Sequence, residues 1–194
     1  MIHPIIIYMT WGYSPTQGQM TLRGGPTQDE VLAVSLFKAG LRKEDVFADL
    51  GCGTGKVSIA AARTCSKVHA VDIRAEAIEC AKLETEKAAV TNIEFYHCNA
   101  GEFLKNDPAV DVAFLGGSKN LKETLEDLDR LEVRTVVVNA VLIRTLEDAV
   151  STMKRLGTFR EAVQVQVARS YQLAGSIMFK PIDPVFIIVG RREG

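Results

Sequence analysis

The sequence predicts an α/β protein in which a mostly parallel, seven-stranded sheet is covered by helices on both faces and closed by an antiparallel hairpin pair near the C-terminus. Three observations lead there. From Glu44 onward, short β-rich runs alternate with amphipathic helical stretches. A glycine-rich turn, Asp49-Leu50-Gly51-Cys52-Gly53-Thr54-Gly55, stands between the first of those runs and the first helix that follows it. Beyond Phe159 the rhythm changes to strict alternation of apolar and polar residues, the pattern of a half-buried strand.

Taken in order, Val46–Leu50, Lys67–Asp72, Ile93–His97, Asp111–Leu115 and Val133–Asn139 read as the first five strands. Before them, Thr27 with Glu30 three positions on has the spacing of a capping box for a helix carrying Val31, Val34 and Leu36. Val57 to Ala62 reads as the helix after the glycine turn. Ala75 to Ala89 carries Ile78, Ala81 and Thr85 on one face, and Leu121, Leu125 and Leu128 line another helix with Ser118 as its expected cap. A helix around Leu146–Leu156 precedes the alternating Phe159–Ala168 run. Val185–Val189 then forms a buried strand, and the excursion from Arg169 to Asp183 between them is a candidate substrate loop.

With 194 residues and 47% hydrophobic content, the chain suits one sizeable core, so a single domain over 1–194 is expected. Formal net charge is −1, which provides no global basic field for nucleic acid or an anionic membrane. The apolar run Ile5 to Met9 is short and lacks a preceding basic flank, and no stretch approaches the ~20 apolar residues of a membrane span. Cys52, Cys65, Cys80 and Cys98 make no C-x-x-C pair and no metal-ligand spacing with His3, His69 or His97. No metal site is expected, and free thiols suit a reducing cytoplasm.

The spacing of the turn separates three loop families. A dinucleotide fingerprint needs glycine where Lys56 stands, and a phosphate loop needs glycine at Leu50 and a hydroxyl at Val57. D-x-G-x-G-x-G remains, which resembles the first motif of Rossmann-like class I methyltransferases that use S-adenosylmethionine. In such a loop the glycines let backbone approach ligand, with exposed N–H groups gathering at the helix start. An acid at the end of the second strand would accept both ribose hydroxyls, and Asp72 stands there. Asn99-Ala100 follows the third strand at the adenine edge, where the Asn99 carbonyl oxygen can meet the amino group. Asp49 is expected to orient the loop by accepting its backbone N–H groups, or to meet the cofactor's ammonium through water. Gly116-Gly117 after the fourth strand offers either an open floor for a wide, flat substrate or a simple turn.

Several segments together resemble the decarboxylating cobalt-precorrin C15-methyltransferases of anaerobic-type cobalamin synthesis. They are Trp11-Gly12-Tyr13, Gly25-Pro26-Thr27, Asp49 to Gly55, Asp72, Asn99-Ala100, Asp111 to Ser118, Asn139 to Leu142 and Val167-Ala168-Arg169. The resemblance implies cofactor contacts at Thr27, Gly51, Cys52, Gly53, Thr54, Gly55, Asp72 and Ala100, with residues 1–28 lying near that site. It implies S-adenosylmethionine as cofactor, S-adenosylhomocysteine as product, methylation of a corrinoid meso carbon with loss of carbon dioxide from an acetate side chain, and a homotetramer. Asn99 replaces the family's usual acid, and Gln28-Asp29 replaces a lysine-acid pair.

A polycarboxylate substrate calls for cations, and Arg23, Lys119, Arg144, Arg169 and Lys180 are candidates, each equally readable as a solvated charge. Gly116, Gly117, Ser118, Arg144 and Arg169 form the expected substrate set. Tyr171, Leu173, Met178 and Phe179 read either as an apolar floor or as an oligomer interface. Methyl transfer from a sulfonium needs alignment more than proton shuttling, so no residue is assigned as acid or base. Two rival readings are a transfer-RNA adenine methyltransferase and a non-catalytic cofactor-binding subunit.

Overall fold

A computed structural model describes residues 27–117 and 119–192. Nine strands run in chain order as β1 Val46–Leu50, β2 Lys67–Asp72, β3 Ile93–His97, β4 Val112–Leu115, β5 Thr135–Ala140, β6 Phe159–Val165, β7 Ala168–Leu173, β8 Ser176–Pro181 and β9 Val185–Arg191. Six helices intervene: α1 Asp29–Ala39, α2 Lys56–Ala62, α3 Ala75–Lys87, α4 Ala100–Leu104, α5 Leu121–Arg130 and α6 Ile143–Arg155. Seven strands form one sheet in the order β3-β2-β1-β4-β5-β9-β6. The pairs from β3 through β5 are parallel, while β9 runs antiparallel to both β5 and β6. The expected sheet and its closing antiparallel pair are therefore present.

Strand order reverses between β1 and β4, because successive crossovers from β1 go outward on one side and those from β4 go outward on the other. The carboxyl ends of those two strands then diverge into loops leaving in opposite directions, which opens a crevice. Alternation within the strands divides the core accordingly. Ala48, Leu50, Leu115, Val136 and Val138 face α4, α5 and α6 beside Leu104, Leu125, Leu128 and Met153. Phe47, Val68, Val112, Val137 and Ile187 face α1 and α2 beside Val31, Val57 and Ala61. A smaller cluster of Cys52, Ala70, Ile78 and Ala81 packs α3 beneath the glycine turn.

Four local expectations are corrected. Thr27 and Glu30 do not form a capping box: Gln28 is the N-cap of α1 and no side chain caps it. Lys56 clamps that helix start instead, donating to the Thr27 carbonyl at 2.7 Å and pairing with Asp29 at 2.6 Å. The N-cap of α5 is Asn120, in the left-handed region at φ 53°, not Ser118, which lies outside the described residues. The excursion expected to be a loop is a second sheet, with β7 paired antiparallel to β8, because alternating Tyr171, Leu173, Ile177 and Phe179 around Ala174-Gly175 carry strand and turn chemistry that a long-loop reading overlooks. The fourth correction concerns the loop amides and is described with the site. Among the described residues no helix is long and apolar enough to cross a membrane. Trp11 to Tyr13, Gly25-Pro26 and Arg23 lie outside the described residues, as does nearly all of the 1–28 segment.

Candidate active site

The glycine turn and the end of β2 form a single hydrogen-bonded unit. The N–H groups of Gly51 and Cys52 both donate to the Val71 carbonyl, at 2.8 and 3.0 Å. The Gly53 N–H donates to Asp72 Oδ2 at 2.9 Å, and that of Gly55 to the Cys52 carbonyl at 2.8 Å. The expected cluster of free loop amides therefore does not exist at these four residues. Their donors hold the turn against the neighbouring strand, which suits a ligand whose central part carries no phosphate better than it suits a nucleotide diphosphate.

Asp49 works below the turn rather than within it. Its carboxylate is wholly buried and accepts the Ser58 hydroxyl at 2.5 Å, together with the Ser58 backbone. It does not accept loop amides, as had been expected, because it points to the α2 side of the sheet. Asp49 Oδ1 finds no donor among the described residues. Burial pushes its carboxyl from the ordinary 3.8 up to about 7, against the lowering by Ser58 and with help from the nearby Asp72 charge. Cys52 is buried among Ala70, Ile78 and Ala81, and burial raises its thiol, with Asp49 and Asp72 adding to the rise. Gly55 has φ 78°, and a Cβ there would stand 2.9 Å from that of Ala81. Its smallness lets α2 and α3 approach each other.

Asp72 closes β2 with its side chain 3% exposed. Oδ1 accepts the Arg74 backbone N–H and Nε, each at 3.0 Å, while Oδ2 accepts the Gly53 N–H and Arg74 Nη2 at 3.0 Å. Burial alone would raise its carboxyl, yet these bonds from Arg74 and Gly53 together outweigh it and hold the group below the ordinary value.

A cavity of about 300 Å³ opens at the carboxyl ends of β1 to β4, at the small end of ligand-pocket sizes. Its walls draw on Gly51, Asp72, Asn99, Ala100, Gly116 and Gly117 among others. A Cβ on Gly116 would come within 3.2 Å of the Gly51 carbonyl, and one on Gly51 within 3.6 Å of the Gly117 nitrogen. Side chains at these three positions would fill the cleft between the β1 and β4 turns, so the sequence keeps it open. Together with a carboxylate at the second strand end and a small residue at the third, the cleft fits an adenosyl group carrying a charged amino-acid tail.

A profile of the precorrin methyltransferase domain matches residues 17–192. The chain belongs to the precorrin methyltransferase family. It is 42% identical, over 179 residues, to a Methanosarcina acetivorans protein named probable cobalt-precorrin-6B C(15)-methyltransferase (decarboxylating), covering 90% of this chain and 97% of that one. Among solved structures, it superposes with TM-score 0.82 at 29% identity on the precorrin 8W decarboxylase of Methanobacterium thermoautotrophicum, covering 86% of this chain and 91% of that one. A precorrin-6Y C5,15-methyltransferase from Geobacter metallireducens gives the same score and identity over 89% and 94% of the respective chains.

In this precorrin methyltransferase the structure gathers Gly51, Asp72, Asn99, Ala100, Gly116 and Gly117 around one cavity. Asp49, Cys52 and Gly55 support the turn from beneath, and Gly53 holds Asp72 by its amide; Thr54 lies on the same turn. Thr27 reaches the turn only through its carbonyl on Lys56. Asn99 caps α4 by accepting the Glu102 N–H at 2.9 Å, which uses one of the carbonyl's two lone pairs and leaves the other for a ligand. Arg169 is drawn to α1, bonding Glu30 at 2.8 Å and Gln28 at 3.1 Å. Arg144 is exposed in the first turn of α6.

Sequence reasoning missed Ile73, Arg74, Lys119's neighbour Asn120, and Thr124, all of which line the cavity. Ile73 is 54% exposed directly after Asp72, and an apolar residue at that place, if looked for, was a legible signal for an aromatic base. Val141, Leu142 and Ile143 are also exposed, at the carboxyl end of β5 one strand beyond the cavity. Among the described residues no group of His, Cys, Asp and Glu is arranged to hold a metal ion.

Proposed function

We propose that this chain methylates C15 of a cobalt-precorrin with S-adenosylmethionine and releases carbon dioxide from an acetate side chain of the same substrate, a step of anaerobic-type cobalamin biosynthesis. The observation that carries the reading is the cleft between the Gly51 and Gly116-Gly117 turns, closed at one end by Asp72, in a chain closely similar to a protein named for that reaction. The cofactor, when bound, supplies an activated methyl group. Asp72 accepts the ribose hydroxyls, Asn99 and Ala100 border the adenine, and Ile73 offers it an apolar face. Gly51, Gly116 and Gly117 admit the sulfur end without steric obstruction and keep water from the transfer line. Asp49 lies beneath as a buried carboxylate whose negative form a cationic cofactor favours.

On the substrate side, Lys119 at the cavity and Arg144 one strand further supply cations for carboxylates, while Val141, Leu142 and Ile143 supply apolar surface for a macrocycle. In the reaction the sulfonium–carbon bond breaks as the C15–carbon bond forms, and the carbon that loses carbon dioxide takes up a proton. A cytoplasmic homotetramer is the assembly that fits. Its interface falls on the β7–β8 ribbon, where Tyr171, Leu173, Ile177, Met178 and Phe179 are exposed on both faces, since a two-stranded ribbon is marginal on its own in water.

The test is incubation of purified protein with methyl-labelled S-adenosylmethionine and the cobalt-precorrin under anaerobic conditions. Label in the corrinoid with equimolar carbon dioxide is expected. Absence of incorporation, or salt-sensitive methylation of transfer RNA instead, would overturn the assignment.

A further inference from the structure

We propose that Arg74 is a latch that occupies the ribose subsite of this enzyme and is displaced when the cofactor enters. The inference rests on the reading of Asp72 as the ribose acceptor. A carboxylate offers about four lone-pair positions, and those of Asp72 receive four donors: the Gly53 and Arg74 backbone N–H groups and the Arg74 Nε and Nη2. Two of the four belong to backbone held in place by the turn and by the start of α3. The other two belong to one side chain and number the same as the hydroxyls of a ribose diol.

The guanidinium is the member able to leave. The Arg74 side chain is 35% exposed against 3% for Asp72, so arginine covers the carboxylate from the solvent side. It also lies along the cavity wall, with Nη2 3.9 Å from where a Gly53 Cβ would stand. A diol therefore cannot reach both Asp72 oxygens while the arginine holds them. The arrangement has a physical purpose: a carboxylate this buried is costly without a compensating charge, and the latch supplies one until the cofactor arrives. Part of the cofactor's binding energy is spent in breaking an ion pair, so removal of the latch should strengthen binding.

The experiment is titration calorimetry of the full chain with S-adenosylhomocysteine, on wild type, Arg74→Met, Asp72→Asn and the double variant, with thermal melts to verify folding. Arg74→Met keeps the aliphatic stem without donors and is expected to bind about tenfold tighter than wild type, as for release of a favourable, partly exposed pair. Asp72→Asn is expected to bind at least about tenfold more weakly, and Arg74→Met in that background to change affinity less than about twofold, since the gain requires the carboxylate. Arg74→Lys should fall between wild type and Arg74→Met. Added salt should tighten wild type relative to Arg74→Met by screening the pair.

Arg74→Met binding equal to or weaker than wild type, with Asp72→Asn impaired, would overturn the latch and leave the ribose reading intact. Equal tightening in both backgrounds would also overturn it. Unchanged affinity in Asp72→Asn alone would overturn the ribose reading and the latch with it.

Discussion

Replacing Gly55 with alanine separates the packing role of the third turn glycine from a ligand-contact role. The new Cβ would stand 2.9 Å from the Ala81 Cβ and 3.2 Å from its Cα, at a backbone φ of 78°. The left-handed conformation costs a non-glycine residue roughly 1–2 kcal/mol, and forcing an extra methyl into a packed helix contact costs roughly 1–3 kcal/mol. Gly55→Ala should thus destabilise the fold by about 2–5 kcal/mol. Ala81→Gly relieves the contact but not the backbone strain. In that background Gly55→Ala should cost only about 1–2 kcal/mol, on top of the ~1 kcal/mol that glycine costs within α3. Urea midpoints with unchanged slope, measured on the four proteins of the cycle, give the coupling directly. S-adenosylhomocysteine should bind folded Gly55→Ala within a few-fold of wild type. Additive effects in the cycle, or lost binding with undiminished stability, would refute the packing argument and return Gly55 to the ligand site.

Asp49 sets a pH dependence. Its folded-state carboxyl is raised from 3.8 to about 7, so between those values the native state keeps a proton that the unfolded state has released. Stability falls as pH rises through this window and stays reduced above it, by up to about 4 kcal/mol on this group alone. Asp49→Asn should therefore gain stability over wild type at pH 8 and lose that advantage toward pH 4, as read from urea unfolding at several pH values; a constant difference across the range would contradict the assignment. Asn99→Ala removes the α4 cap and should cost about 1 kcal/mol, whereas Asn99→Asp should retain the cap, both judged by thermal melts. Ile177→Ser with Phe179→Ser should reduce the oligomer, and an unchanged mass by light scattering would move the interface away from the β7–β8 ribbon.

Much of the fold was legible because its signals are local. The boundaries of β1, β2 and β3 follow from apolar runs ended by turn residues, and Ile78, Ala81 and Thr85 follow a helical period, so their burial on α3 is as expected. The β7–β8 ribbon was less legible because its strands are exposed throughout and lack the half-buried alternation that marks a sheet face. At the site, the spacing of three glycines and Asp72 pointed to one cofactor class. It did not say which glycine meets ligand and which meets a helix, since that depends on what lies opposite each missing Cβ.

By itself the sequence determined the α/β class, the strand-to-helix turn and an acid one strand later, because each depends on contacts along a short stretch of chain. Tertiary structure decided what those groups do. Gly55 faces α3 while Gly51 faces the β4 turn, Asp49 is buried beneath the loop instead of gathering its amides, and Asp72 is covered by Arg74. The physical reason is common to all: burial and hydrogen-bond saturation depend on which distant segments the sheet order brings together, and the reversal between β1 and β4 brings the Gly51 and Gly116 turns face to face across more than sixty residues of chain.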